Sequence, residues 1–257
     1  MPAPILTLTT DFGLSDHYVG AMKGVILGIC PDAQIVDISH QVSRYAIGEG
    51  AFTVAQAYPY FPPGTVHVAV VDPGVGSPRR PIVVEAAGQL FVGPDNGVFG
   101  IIFTRENHEV RLIQNRHYFR ELVSHTFHGR DIFAPVAAHL AAGVAPSSIG
   151  EILETYVRPS FENPRQTSER TWDGEILKID HFGNVITNFH SDEFPALEEL
   201  AVGQAKAQRL VRSYAEAPEG ELVIIAGSSG YLEVSLNRGS AAEEIGCRAG
   251  EVCRIRV

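Results

Sequence analysis

Polar side chains collect where the first half of the sequence predicts strands to end. Asp11 follows an apolar, β-branched run at residues 5–10, and Asp72 follows a second apolar run at residues 66–71. Ligands of open α/β sheets bind at the carboxyl ends of strands, so both positions are candidates for a site. A carboxylate at Asp11 could accept both hydrogen bonds of a ribose diol.

Two neighbouring segments suggest further chemistries, a phosphate loop and a metal site, and the sequence disfavours both. Asp72 opens a Pro-Gly-Val-Gly turn that allows close backbone approach, but no Lys-Ser/Thr pair follows and no GxGxxG occurs. Residues 124–131 hold two His, one Arg and one Asp, without HExxH spacing or a partner Cys or His at a zinc-like interval. Each cluster could also be only a turn or a helix cap.

Three smaller polar clusters lie between predicted strands of the C-terminal third. They occupy residues 180–184, 227–230 and 237–242, and each contains glycine. Taken alone, each could be a turn or a flexible loop between two strands.

The elements that must position these clusters alternate between strand and helix over the first two-thirds of the chain. Short β-branched runs predict strands at residues 5–10, 35–39 and 66–71, and apolar residues on one helical face predict helices at 19–29 and 47–58. Further strands are predicted at residues 82–85 and 90–92, and a further helix at residues 132–142. This alternation predicts an α/β domain with a largely parallel sheet.

The pattern changes after about residue 156. Residues 158–170 contain two prolines among polar residues, which is typical of a linker. Beyond them, short strand-like segments punctuated by Gly and Asn predict a small all-β module, a barrel or a sandwich. The predicted organisation is an α/β domain at 1–157, a linker at 158–170 and a β-barrel-like domain at 171–257.

Composition bounds the class of protein. The chain has 257 residues, 45% of them hydrophobic, so it can bury a substantial core. Its formal net charge of −10 disfavours a nucleic-acid binder, because phosphate recognition needs clustered Lys and Arg. The three cysteines have no CxxC spacing, and the sequence shows neither a basic leader nor an apolar run of membrane-spanning length. We expect a cytoplasmic protein that binds no membrane.

In their order and spacing, the clusters resemble the S-adenosylmethionine (SAM) hydroxide adenosyltransferase family. These adenosine-forming SAM hydrolases are related to the nucleophilic fluorinases and chlorinases. The resemblance runs essentially from Thr9 to the C-terminal module. The motifs that carry it are Thr-Asp-Phe-Gly at 10–13, Tyr-Val-Gly-Ala-Met-Lys-Gly at 18–24, Val-Asp-Pro-Gly-Val-Gly at 71–76, Gly-Pro-Asp-Asn-Gly at 93–97, Thr-Phe-His-Gly-Arg-Asp at 126–131, and Phe-Gly-Asn at 182–184.

The resemblance implies a fold, an assembly and a reaction. The fold is an N-terminal α/β domain with a C-terminal β-barrel, assembled as a homotrimer. In the family, substrate lies between the N-terminal domain of one subunit and the C-terminal domain of its neighbour. The implied reaction is hydrolysis of S-adenosyl-L-methionine to adenosine and L-methionine, without a metal or another cofactor.

The resemblance also assigns roles to single residues. The implied catalytic set is Asp72, Arg79 and His128, which would hold or deprotonate a water that attacks the ribose C5′; which of them is the general base stays open. The implied substrate contacts are Asp11 for the ribose hydroxyls, Tyr45 against the ribose, Asp16 near the methionine end, Asp180 for the methionine ammonium, Phe182 and Asn184 for the adenine, Ser228 and Ser229 for the methionine carboxylate, and Ala241 at the adenine edge.

Three other functions remain open. The halogenase branch of the family carries an aromatic or small residue where Asp72 stands, and a carboxylate there would repel a halide. Halide-dependent adenosyl transfer is therefore the alternative reaction rather than the expected one. A non-catalytic sensor of SAM or adenosine would keep the pocket without turnover. A methyltransferase is disfavoured because no glycine-rich GxGxG follows the first strand.

Overall fold

Two compact units, Met1–Pro159 and Ser160–Val257, make up the chain. The structure is a computed structural model and describes residues 3–159 and 163–257. Part of the predicted linker, residues 160–162, lies outside these ranges.

A strand, Arg165–Ser168, occupies part of the remaining predicted linker and pairs antiparallel with Thr171–Ile179. All four of its residues are exposed. The second half of the predicted linker is therefore an edge strand, whose polar composition suits exposure on both faces.

A six-stranded sheet forms the centre of the N-terminal unit. Its strands are β1 (Ile5–Thr10), β2 (Gln34–Ser39), β3 (Val66–Val70), β4 (Pro81–Ala86), β5 (Gln89–Pro94) and β6 (His108–Leu112). They lie in the order β2-β1-β3-β5-β4-β6. The pairs β1–β2, β1–β3 and β3–β5 are parallel, whereas β4 pairs antiparallel with β5 and with β6. The sheet is therefore mixed.

The connection between β4 and β5 explains why the sheet is mixed where the sequence predicts a largely parallel one. Ala87 and Gly88 alone join the two strands, with φ of 52° and 70°. Two residues with positive φ make a tight hairpin, and a parallel pair would need a crossover of a dozen or more residues. The Ala-Gly pair is a weaker hairpin signal than Asn-Gly, so the sequence alone suggests two strands without their direction.

Helices cover the N-terminal sheet. They are α1 (Tyr18–Ile29), α2 (Ile47–Ala57), α3 (Gly100–Arg105), α4 (Ala134–Ala141) and α5 (Pro146–Ile149). Helices α1 and α4 pack together, and Met22, Ile26 and Val136 share a core with Leu6 and Leu8 of β1. Each such buried side chain contributes about 1.5–3 kcal/mol through the hydrophobic effect. Helix α2 packs on β1, β2 and β3 and contacts α3.

The segment 132–142, predicted as one helix, has two parts. A π-helical turn, Gly129–Phe133, precedes α4, and the amide of Ala134 donates to the carbonyl of Gly129 five residues earlier. Such turns contain one residue more than an α-helical turn and concentrate at functional sites. The helical character at 132–142 is therefore present, but its first turn is wider than the sequence predicts.

The parallel pairing of β1 with β3 places their carboxyl ends side by side, since Thr10 lies opposite Val70. Asp11 follows β1 directly, and Asp72 follows β3 after one intervening residue. Both carboxylates therefore leave the sheet at the same edge.

Within residues 163–257, the C-terminal unit is a nine-stranded sheet with one short α-helix. Its strands are β7 (Arg165–Ser168), β8 (Thr171–Ile179), β9 (Val185–His190), β10 (Glu199–Val202), β11 (Ala205–Ala207), β12 (Leu210–Val211), β13 (Leu222–Ala226), β14 (Tyr231–Leu236) and β15 (Val252–Arg256). Their order is β11-β10-β15-β8-β9-β14-β13-β12, with β7 beside β8. Phe189, Leu200, Val234 and Ile255 are core residues. The helix α6 (Ala241–Ile245) is too short for its periodicity to be recognised in the sequence.

Candidate active site

Asp72 and Arg79 form a buried ion pair at the carboxyl edge of the N-terminal sheet. The Nε of Arg79 donates to Oδ1 of Asp72 at 2.9 Å, and its Nη2 donates to Oδ2. Their side chains are only 4% and 9% exposed. The loop between them has positive φ at Gly76, where the carbonyl of His125 leaves no room for a Cβ. Two parallel hydrogen bonds fix the guanidinium plane more firmly than a single contact would.

His128 joins this pair through a hydrogen bond whose direction is determined. Nη2 of Arg79 lies 2.8 Å from Nδ1 of His128. A guanidinium has only donors, so Nδ1 accepts and the proton of the neutral ring is on Nε2. Burial, and then the positive charge of Arg79, lower the pKa of His128 below its usual value. The imidazole is therefore neutral near pH 7 and presents one N–H donor.

The backbone that carries His128 is held by a fully buried carboxylate. Asp131 accepts hydrogen bonds from Nε of Arg130 at 2.7 Å and from the amide of Ser124 at 2.9 Å, and Arg120 lies 3.3 Å away. Burial opposes ionisation, but these hydrogen bonds hold the pKa of Asp131 at about 2. Asp131 therefore ties both sides of the histidine segment together. A cavity of about 440 Å³, lined among others by Arg116, Arg120, His125 and His128, opens beside it.

Asp11 lies in a second cavity of the same unit, of about 610 Å³, which Asp16, His40 and Arg44 also line. Oδ2 of Asp11 accepts a hydrogen bond from the amide of Tyr45 at 2.9 Å. Tyr45 has φ of +66° and is 69% exposed. A left-handed, exposed tyrosine is unusual and indicates that the contact with Asp11 holds the loop in place.

A chain of polar contacts supports the Asp11 turn. Nδ1 of the buried His40 lies 2.8 Å from Oγ1 of Thr10, and its Nε2 lies 3.0 Å from Oδ1 of Asp37. Asp37 in turn accepts from Nζ of Lys23 at 2.6 Å. Phe12 donates its amide to Oγ1 of Thr10 at 3.3 Å. This chain fixes the backbone on both sides of Asp11.

Aromatic contacts connect the Asp11 turn with the histidine segment. The rings of Phe12 and Phe127 are 5.9 Å apart, and Tyr18 contacts both. Arg79 also stacks over the ring of Phe133, with 5.2 Å from its Cζ to the ring centroid. The structure therefore places the predicted N-terminal site residues on one connected edge.

In the C-terminal unit, Asp180 organises its own turn. Its Oδ1 accepts from the amides of Phe182 and Asn184, both at 2.9 Å, and its Oδ2 accepts from Nδ2 of Asn184 at 2.8 Å. Phe182 is 74% exposed, whereas Asn184 is buried. The turn therefore presents an exposed aromatic ring above a buried amide.

The turn that contains Gly183 lies against the start of α6. The amide of Ala242 donates to the carbonyl of Gly183 at 3.0 Å, and a Cβ at Gly183 would overlap Ser240. This contact brings Phe182 and Asn184 near Ala241, the three residues for which the family resemblance implies contact with adenine.

The loop of Ser228 and Ser229 is a tight turn, because the amide of Gly230 donates to the carbonyl of Gly227 at 3.0 Å. Within residues 3–159 and 163–257, the amides of Ser228 and Ser229 have no acceptor. Two neighbouring free amides can bind a carboxylate. The hydroxyl of Ser229 is buried and also lacks a partner among the described residues.

Glu233 is a buried acid that no sequence motif singles out. It is 5% exposed in β14, and Tyr214 donates to its Oε2 at 3.3 Å. Burial, and then the charge of Asp180, raise its pKa to about 7. Alternation in Tyr231–Leu236 predicts Glu233 and Ser235 on a solvent face, but both are buried. Tertiary packing, which the strand pattern does not contain, makes the difference.

Among residues 3–159 and 163–257, no group of three His, Cys, Asp or Glu could hold a metal ion. None of the helices within those residues is long and apolar enough to cross a membrane.

Comparison with known proteins places the chain in a family. The model of the SAM hydroxide adenosyltransferase N-terminal domain matches residues 6–150, and that of the C-terminal domain matches residues 174–254. A (R)-S-adenosyl-L-methionine hydrolase from Salinispora tropica is 38% identical over 265 residues, covering 99% of this chain and 98% of that protein. A fluorinase from Nocardia brasiliensis is 28% identical, covering 99% and 97%.

A solved structure has the same fold. The crystal structure of an uncharacterized conserved protein from Thermotoga maritima matches with a TM-score of 0.90 at 37% identity, covering 98% of this chain and all of that chain. The chain belongs to the SAM hydroxide adenosyltransferase family, which confirms the resemblance inferred from its motifs.

Proposed function

We propose that the protein is an enzyme that hydrolyses S-adenosyl-L-methionine to adenosine and L-methionine. The observation that carries this proposal is the buried cluster of Asp72, Arg79 and His128 at the carboxyl edge of the sheet. The full-length likeness to a SAM hydrolase supports the same substrate.

The sulfonium of the substrate makes methionine a neutral thioether leaving group. A water oxygen forms a bond to the ribose C5′ while the C5′–S bond breaks, and the electron pair of that bond goes to sulfur. The water loses one proton, so the products are adenosine, methionine and H⁺. Alignment of the oxygen with the C–S bond supplies much of the rate enhancement.

The three catalytic candidates have different parts in this reaction. Arg79 stabilises negative charge on the attacking oxygen, and Asp72 keeps the guanidinium in one plane. His128 donates Nε2–H to the same oxygen, because its Nδ1 is occupied by Arg79. In this arrangement His128 donates a hydrogen bond to the attacking oxygen and does not accept the proton of the water. That proton passes to solvent. The general base is thus not the imidazole in its neutral form.

The substrate contacts come from residues of the N-terminal unit and of the C-terminal unit. Asp11 accepts hydrogen bonds from the ribose hydroxyls with Tyr45 beside the sugar, and Asp16 lies toward the methionine end. The adenine is bound by Phe182, Asn184 and Ala241. Asp180 binds the methionine ammonium, and the loop amides of Ser228 and Ser229 bind its carboxylate.

The wider organisation follows the family resemblance. The assembly is a homotrimer whose sites are shared between subunits, with functional domains at 1–157 and 171–257 and a closed, barrel-like C-terminal sheet. Cys30, Cys247 and Cys253 are buried and free, which fits a reducing cytoplasm. We propose no nucleic-acid or membrane partner and no cofactor.

Halide-dependent transfer is the second candidate, and the fluorinase likeness favours testing it. The carboxylate of Asp72 argues against it, because its negative charge would repel a halide in a buried site.

One experiment separates these functions. The purified chain is incubated with SAM in ¹⁸O-labelled water, with and without chloride or fluoride, and products are identified by mass spectrometry. Hydrolysis at C5′ predicts adenosine that carries ¹⁸O, together with unlabelled methionine. A 5′-halo nucleoside would indicate halide transfer, and S-adenosylhomocysteine a methyltransferase. Binding of SAM by calorimetry without any product would indicate a sensor and refute the proposal.

A further inference from the structure

The carboxyl group of Glu233 lies against the Ser228–Ser229 loop. A Cβ added at Gly227 would overlap Oε1 of Glu233, so only glycine allows the loop backbone to pass this close. Glu233 as a residue is only 5% exposed. One oxygen, Oε2, accepts from Tyr214, and Oε1 has no donor within the described parts of the chain. A nearly buried polar atom thus points at a loop that already presents free amides.

No positive side chain among the described residues compensates Glu233. Its surroundings are the carboxylate of Asp180 from the β8–β9 turn and the phenol of Tyr214. The imidazole of His190 lies beside Gly230 in the same loop and makes a tilted contact with the ring of Tyr231. Burial and Asp180 both disfavour the charged form, and they raise the pKa of Glu233 to about 7. A buried acid is normally paired, and an unpaired one is strongly destabilising.

Asp180 has little hydrogen-bonding capacity left for a ligand. Its two oxygens already accept three bonds, from the amides of Phe182 and Asn184 and from the Asn184 side chain. A carboxylate offers about four lone-pair positions, so one remains. An ammonium has three N–H donors. It therefore needs acceptors besides Asp180.

We propose that Glu233 binds the α-ammonium of the methionine moiety together with Asp180, and that it sets a requirement for a free amino group on the substrate. This inference rests on the proposed function. Oε1 of Glu233, the remaining position on Asp180 and the unpartnered hydroxyl of Ser229 supply three acceptors for the three donors. Binding of the ammonium replaces the missing counter-charge. The Ser228–Ser229 loop, which receives the substrate carboxylate, is the same loop that contacts Glu233 at Gly227.

The test is a cycle of two substrates and two proteins. The substrates are SAM and the same sulfonium nucleoside with hydrogen in place of the α-amino group; the proteins are wild type and Glu233→Gln. Hydrogen bonds to charged groups predict that E233Q raises KM for SAM on the order of 10- to 100-fold with kcat little changed. For the deaminated substrate, E233Q leaves KM unchanged. The exposed Glu219→Gln is the matched control and alters neither.

Several outcomes would overturn the inference while leaving the proposed function intact. If wild type hydrolyses SAM and E233Q leaves the KM for SAM unchanged, Glu233 does not bind the substrate. Equal losses on both substrates assign it a structural role instead. Should E233Q fail to fold, Glu233→Asp decides, because it keeps the charge and is expected to retain the preference for the amino-bearing substrate. Absence of adenosine from wild type itself refutes the proposed function rather than this inference.

Discussion

Two buried carboxylates, Asp72 and Glu233, have opposite electrostatic surroundings. Asp72 is paired with Arg79 through two hydrogen bonds, and His128 extends the pair. Glu233 has a tyrosine donor and a second acid nearby, and no cation among the described residues. The first cluster is complete before substrate arrives, as preorganised stabilisation of a developing charge requires. The second lacks a positive charge, which a cationic substrate can supply.

The largest effect is expected from substitutions in the cluster of Asp72, Arg79 and His128. Arg79→Ala should lower kcat by about 10³-fold, because it removes the fixed donors for the attacking oxygen and leaves Asp72 unpaired. SAM binding, measured by calorimetry, should largely survive. The exposed Arg212→Ala is the control and should be as active as wild type. Asp72→Ala and His128→Ala should also lose turnover, and unchanged activity in all three variants would remove the mechanism.

A substitution at Glu233 should change the free energy of unfolding rather than kcat. The pKa of Glu233 is about 7 in the folded protein against 4.5 for an ordinary Glu. As pH rises, the unfolded state therefore loses the Glu233 proton at a lower pH than the folded state does. Above pH 7 this difference destabilises the folded state by about 3 kcal/mol. Glu233→Gln should recover this amount at pH 8 in denaturant unfolding. The gain should vanish as pH falls from 7 toward 4.5; a loss of stability at pH 8 would show that the charge is compensated after all.

A third measurement concerns the protonation of His128. Burial and Arg79 lower the pKa of His128 below 6.5, and protonation at Nδ1 would break the bond from Arg79. We expect kcat to be constant at neutral pH and to fall only as pH drops through this lowered pKa. His128→Asn, which can accept and donate without titrating, should be slower and should lack that acid limb. An acid limb retained in the variant would assign it to another group.

The smallest effect is expected from the one donor to Glu233. Tyr214→Phe removes the hydrogen bond to Oε2, which favours the charged carboxylate, so the pKa of Glu233 should rise further. The KM for SAM should increase by about 2- to 10-fold at pH 7, as for the loss of one hydrogen bond. The increase should shrink at higher pH, where Glu233 ionises in either protein. A pH-independent increase would indicate a packing defect.

The sequence was most informative where a local signal coincided with a strand end. Asp11 and Asp72 stand out because they follow apolar runs, and His128 because it belongs to a polar cluster just before a predicted helix. The structure brings their segments to one edge of the sheet. The alternation of strands and helices likewise predicts an N-terminal α/β unit. The direction of β4 depends on Ala87 and Gly88 adopting positive φ, which their identities only weakly indicate.

Glu233 shows what a strand pattern cannot provide. In Tyr231–Leu236 its polarity suggests solvent, yet β9 and β13 flank the strand, and Gly227 covers the carboxyl group. The support under Asp11 is similar, because His40 and Asp37 gain their meaning only when β2 lies beside β1. Both depend on contacts between residues distant in the chain.

The π-helical turn Gly129–Phe133 carries a consequence for the evolution of this enzyme. Its widened turn holds one additional residue, and each residue of an α-helix advances the chain by about 100°. Deleting a single residue there would restore regular winding and swing the imidazole of His128 about a quarter of a turn away from the Arg79 guanidinium. Length changes in this segment thus alter the contact between Arg79 and His128, and homologues should conserve the number of residues between His128 and α4 more strictly than their identities.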